Sequence, residues 1–134
     1  MEKKLNNESQ PEIEMLASRS ALIAEFMGCQ KSDYMDSIYV MNYMEHKPHY
    51  TASLMRFDKS WDWLMPVVDK IMRTKIGDGV EYVAYPYFRT FGMLNEETKN
   101  PMVRFHGFQV FEAETLIEAT FLAVVDFLDW WQKK

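Results

Sequence analysis

Ser60-Trp-Asp-Trp-Leu-Met-Pro-Val-Val-Asp-Lys-Ile-Met72 decides the reading of this chain. Trp61, Leu64, Val68 and Ile71 recur at three- and four-residue spacing and share one helical face, flanked by Met65 and Met72. Ser60 is a helix-capping residue type, and Asp62 in the first turn complements the positive end of the helix dipole. Pro66 is the awkward residue, because inside a helix it removes one hydrogen bond and crowds the carbonyl of Asp62. The segment therefore predicts either a helix kinked at Pro66 or a tight turn followed by a helix from Pro66. Both place Trp61 and Trp63 beside the bend.

Two further helices flank this one. Pro11 suits a first helical turn, and Ile13, Leu16, Ala17, Ser20, Ile23, Ala24 and Met27 form a stripe that ends at Gly28, a residue free to adopt the left-handed conformation. At the other end, Thr115-Leu-Ile-Glu118 matches a capping box, and Leu116, Ile117, Phe121, Val124, Leu128 and Trp131 continue at helical spacing. Residues 1–10 are polar and without apolar period, which predicts a mobile tail before a single globular domain at 11–134.

Between the helices lie strand-like runs. Ser37–Met44 is aromatic and β-branched, whereas Tyr50–Met55 after Pro48 reads as a short strand or a loop. Gly77-Asp-Gly79 is a turn signal. Val80–Met93 and Met102–Phe111, separated by a polar loop, predict an antiparallel hairpin bent at Pro86. The order α-β-α-β-β-α predicts an α+β fold, a small antiparallel sheet of about three strands covered by three helices. Trp61, Trp63, Leu64, Val68, Phe121, Val124, Leu128 and Trp131 are the expected core.

With 134 residues, 48% hydrophobic and 26% charged, the chain is a globular-domain sequence rather than a disordered one. It holds no apolar run long enough to cross a membrane and no apolar stretch after its charged start, so neither a spanning segment nor a secretory signal is expected. A lone Cys29 fits a reducing, cytoplasmic setting. The net charge is −5, with acidic excess at both ends, and this disfavours duplex nucleic acid as a partner. Lys47, Arg56, Lys59, Lys70, Arg73 and Lys75 supply only a local basic stretch.

Leu22-Ile-Ala-Glu-Phe-Met-Gly28, Ser60–Ile71 and Ala123-Val-Val-Asp-Phe-Leu-Asp-Trp130, in that order, resemble a family of short uncharacterised proteins of Bacteroidota and their phages. There, an IAEFMG helix, an SWDWLMPVVEKI helix and a terminal EAVVEFIKWYN helix bracket a small variable β region. The central motif is the specific part. The family carries no established activity, so the resemblance implies a bacterial or phage setting and no catalytic residue.

Catalytic and metal chemistry find little support in the residues. His46 and His49 stand three apart but lack cysteine or further histidine ligands nearby, so a solvated loop is the expectation and no metal or cofactor is assigned. Cys29 follows a helix C-terminus, where the dipole disfavours a thiolate. No GxSxG elbow, phosphate loop or dinucleotide fingerprint occurs. Among the carboxylate pairs Asp33/Asp36, Asp58/Asp62 and Asp126/Asp129, Asp62 is singled out for its place between two tryptophans. Capping is its expected role, and a Trp61/Asp62/Trp63 small-ligand or enzyme site is the alternative.

The hairpin aromatics exceed what one face can hide. Strict alternation places Tyr85, Tyr87 and Phe91 with Arg89 on one face and Tyr82 with Phe88 on the other. With Arg104 on the partner strand, this surface is the expected contact site for another protein, either a second copy or a host factor. Single-stranded nucleic acid stacking on the rings is the third option. The expected function is thus that of a small, non-catalytic binding or accessory protein.

Overall fold

The computed structural model describes residues 10–33, 38–76 and 85–133. The expected tail before Gln10, the Gly77–Gly79 turn, Ser37, Asp36 and Tyr82 lie outside the described residues. The fold is α+β, with three helices and two three-stranded antiparallel sheets, where one sheet was expected. The chain divides into two compact units, Met1–Met55 and Arg56–Lys134.

In the first unit, helix α1 (Gln10–Phe26) is followed by strands β1 (Gln30–Lys31), β2 (Ile38–Val40) and β3 (His49–Thr51) and a 3-10 turn at Ala52–Leu54. Gly28 ends α1 as expected, at φ 83°. Cys29 N donates to Ala24 O and Gly28 N to Glu25 O, the paired bonds of a Schellman motif. Of the expected stripe Ser20, Ile23 and Ala24 are buried, joined by Phe26 outside it, while Ile13 faces solvent and Leu16, Ala17 and Met27 are half-buried. Strand β2 pairs with β1 and β3, Tyr39 opposite Tyr50, and so builds a sheet separate from the hairpin. Tyr50–Met55, ambiguous in sequence, divides between β3 and the 3-10 turn that packs on α1.

The second unit contains helix α2 (Trp61–Met72), strands β4 (Phe88–Leu94), β5 (Pro101–Phe105) and β6 (Phe111–Glu112), and helix α3 (Leu116–Gln132). Helix α2 runs through Pro66 without a break. Because Leu64 N already closes the first turn on Ser60 O, the proline forfeits a single bond, the one to Asp62 O. Ser60 occupies the N-cap position but its hydroxyl makes no capping bond. By contrast, Thr115 and Glu118 form the full capping box.

Strands β4 and β5 are the expected antiparallel hairpin. Its loop is held by Asn95 Oδ1, which accepts from the backbone of Glu97 and Thr98. The second expected strand ends at Phe105, and the chain turns back so that β6 pairs with β5. Helix α3 covers one face of this sheet and also meets α2. Leu64, Val68, Phe121, Val124 and Leu128 are buried as expected, joined by Phe57, Val103, Phe105 and Phe127. Trp61, Trp63 and Trp131 are half-buried rather than central, since their rings seal the rim of the core. Trp63 packs edge-on against Phe57 at 5.2 Å and Trp61 against Phe91 at 6.3 Å.

Candidate interaction face

The hairpin's register decides which side chains meet solvent. Phe88 pairs with Phe105, Thr90 with Arg104, Phe91 with Val103, Met93 with Met102 and Leu94 with Pro101. Strand β4 thus carries two extra residues relative to β5, Arg89 and Gly92, each a β-bulge. Gly92 sits at φ 92°, a conformation glycine adopts without strain.

The Arg89 bulge reverses the side on which the following residues emerge. Phe91 therefore shares the covered face with Phe88, their rings 4.4 Å apart, and with the buried Val103 and Phe105. The expectation that Phe91 joins Tyr87 and Arg89 on one face is corrected by this register. Phe91 retains 44% exposure only at the margin, beside Trp61.

The outer face is formed by Met102, Arg104 and His106 along β5 and its extension, and by Met93, Thr90 and Tyr87 along β4. Tyr87 and His106 stack with ring centroids 4.7 Å apart and planes 11° from parallel, and His106 N donates to Tyr87 O at 2.7 Å. Arg104 Nε donates to Phe108 O at 2.8 Å, which fixes the plane of the guanidinium. Glu112, opposite Met102, is occupied by Asn95 Nδ2 at 3.0 Å and Thr98 Oγ1 at 2.7 Å. Neither Arg89 nor Arg104 has a carboxylate partner among the described residues. Tyr87 is 47% and Met93 64% exposed, and Tyr85, just before the strand, is also exposed. Sequence reasoning missed His106, Met93 and Met102 as members of this face. A glycine inside a strand pattern was the available signal, because it marks a bulge and hence a change of side.

The other candidate residues fall elsewhere. Asp62 is exposed, and its carboxylate takes part in no hydrogen bond among the described residues, so the expected capping role is absent. The neighbouring indoles are engaged in packing. Cys29 is buried after the end of α1. The phenol of Tyr43 is pushed above its ordinary value by burial and, secondarily, by the Cys29 thiol, and its hydroxyl has no hydrogen-bond partner among the described residues. His46 and His49 are both exposed, with His46 Nε2 3.6 Å from Glu45. Among the described residues no three histidine, cysteine or acidic side chains converge as metal ligands.

A concavity of about 690 Å³ lies between α3 and the loop after β5, lined by Phe108, Gln109, Asp126, Asp129, Trp130 and Lys133 with Ile76 and Gly107. The pair Asp126/Asp129 thus borders an open hollow, with Gln109 Nε2 3.4 Å from Asp126 Oδ1. Among the described residues no helix is long and apolar enough to cross a membrane. Comparison with protein families, curated proteins and solved structures found no match.

Proposed function

We propose that this chain is a small, non-catalytic binding or accessory protein that acts through protein–protein contact on the outer face of the β4–β5–β6 sheet. One observation carries the reading: Tyr87, Met93 and two arginines that have no carboxylate partner among the described residues stand together on a solvent-facing sheet surface. Tyrosine, methionine and arginine are the residue types enriched at the centres of protein interfaces. The proposed setting is the cytoplasm of a bacterium or of a phage-infected cell, following the resemblance of the three helical segments.

The test is a photo-crosslinking amino acid placed at Met93, with a second placed at Met65 on exposed α2 as the control. A discrete protein adduct, with another protein or a second copy, is expected at Met93 only and is expected to disappear on Tyr87→Ala. Equal labelling at both positions, or none at either, overturns the reading.

The concavity beside Asp126 and Trp130 favours a second reading, a small-ligand site, and it moves that alternative away from the Trp61/Asp62/Trp63 bend. The nucleic-acid option is weakened by the register. Phe91 lies against Phe88 on the covered face with only part of its ring open, and one side of the Tyr87 ring is taken by His106, which leaves little open ring surface for bases to stack on.

A further inference from the structure

We infer that the partner docks as an extended, acidic protein segment whose carboxylate is taken by Arg104, an inference that rests on the reading of this face as a protein-binding surface. Arg104 is prepared for that task. Its Nε is held by the Phe108 carbonyl, so the guanidinium keeps one plane and its two terminal nitrogens remain for a bidentate bond to carboxylate.

The surrounding charges leave this fork unsatisfied. The chain has 20 acidic residues and a net charge of −5, yet none of the described ones pairs with Arg104 or with Arg89 nearby. Glu112, the carboxylate on the same face, keeps its charge but hydrogen-bonds Asn95 and Thr98 rather than an arginine, so two guanidiniums stand there against one carboxylate. Charge complementarity therefore selects an acidic occupant.

The pattern along the face specifies the segment further. Met102 and Arg104 on β5 and His106 just beyond it alternate to this side, and Met93 and Thr90 on β4 and Tyr87 just before it stand opposite them. The basic group is thus flanked by a methionine pair on one side and by the Tyr87–His106 stack on the other. Side chains two apart on an extended chain project to one side about 7 Å apart, the same interval as along β5. An acidic residue with apolar or aromatic residues two positions before and after it fits all three places at once. A carboxylate suits the planar fork as well as a phosphate does, and the shortage of open rings favours protein over nucleic acid.

Selection of displayed random twelve-residue peptides against the full chain tests this, followed by anisotropy titration of a labelled selected peptide. Enriched peptides are expected to carry Asp or Glu with apolar residues two positions to either side. Arg104→Gln is expected to weaken binding about tenfold, with Arg104→Lys recovering only part of it. Arg89→Gln, at an exposed side chain with no ion-pair partner among the described residues, gives a smaller loss, and an unchanged urea midpoint in the Arg104 variants shows that their loss of binding is not a folding defect. Enriched peptides that lack acidic residues and need Tyr87 but not Arg104 overturn the inference and leave the protein-binding reading standing. No enrichment overturns both. Displacement of the peptide by a twelve-nucleotide oligothymidine also overturns the inference, in favour of nucleic acid.

Discussion

Replacing Gly92 by alanine probes the second bulge of β4. The backbone there lies at φ 92°, and a Cβ would meet nothing closer than Leu116 Cδ1 at 3.9 Å, an ordinary contact. Any cost is therefore conformational rather than steric. Holding an L-residue on the left-handed side costs about 1–2 kcal/mol, against which the stiffer unfolded chain returns about 0.4–1 kcal/mol. The net expectation is a loss of roughly 1 kcal/mol.

All four tryptophans belong to the Arg56–Lys134 unit, so indole fluorescence follows that unit's unfolding. With a urea dependence of about 1–3 kcal/mol per molar, the midpoint should fall by roughly 0.5 M. Arg89→Ala, at the exposed extra residue of the first bulge, should move it by no more than about 0.5 kcal/mol equivalent. An alanine at 92 that raises the midpoint would refute the reasoning, because glycine-to-alanine replacement stabilises where φ is negative.

Three other substitutions separate the contributions to stability. Thr115→Ala removes the hydroxyl half of the capping box, leaving the bond from the residue-115 backbone to Glu118, and should cost about 1 kcal/mol in the same fluorescence assay, whereas Ser60→Ala, whose hydroxyl caps nothing, should be close to neutral. Phe105→Ala removes a fully buried ring stacked on Phe88 at 4.9 Å; the expected loss of about 3–5 kcal/mol should shift the urea midpoint further than any other single change named here. In the first unit, burial raises the phenols of Tyr43 and Tyr39, so above a pH of about 10 the unfolded chain loses protons that the folded one keeps. Stability of that unit should be unaffected by these groups below pH 10 and should fall as pH rises beyond it, read by hydrogen exchange over residues 38–51. Tyr43→Phe should flatten that fall, and it should be neutral or stabilising at pH 7 because the hydroxyl it removes has no partner among the described residues.

Local chemistry made the helices legible. Gly28 terminates α1 and Thr115 opens α3 through hydrogen bonds within a few residues, so their spacing alone announces them. Pro66 left open both a kinked helix and a fresh start at the proline, because the sequence does not show that one lost bond is tolerable in a continuous helix whose Leu64, Val67, Val68 and Ile71 are all buried. The strands were less legible because their pairing is set at a distance. Gln30–Lys31 is two exposed polar residues with no strand pattern, and it becomes a strand only through its bonds to β2. That pairing produces the second sheet. The contact face was visible as an excess of rings, but its membership depended on Arg89 being the extra residue of a bulge. The Arg89 insertion turns Phe91 to the covered face, and the second insertion, Gly92, returns Met93 to the outer face with Thr90, Tyr87 and Arg104.

The two bulges also bear on how this face stays available. In the described sheet β4 has β5 on one side and no strand on the other, and it carries exposed Phe91, Met93 and Leu94. A straight edge of that composition would template pairing with a second copy. Arg89 and Gly92 interrupt the ladder twice within seven residues, which shortens each straight stretch and increases local twist. Deleting both residues leaves Phe88, Thr90, Phe91, Met93 and Leu94 facing Phe105, Arg104, Val103, Met102 and Pro101 in unbroken alternation, with every side chain still on its present face. The deletion variant is accordingly expected to fold, to lose Arg89 but keep Thr90, Met93, Met102 and Arg104 on the outer face, and to self-associate with rising concentration in sedimentation velocity. A folded variant that stays monomeric across the same range would show that the bulges do not guard the edge, and that their service is confined to orienting Phe91 and Arg89.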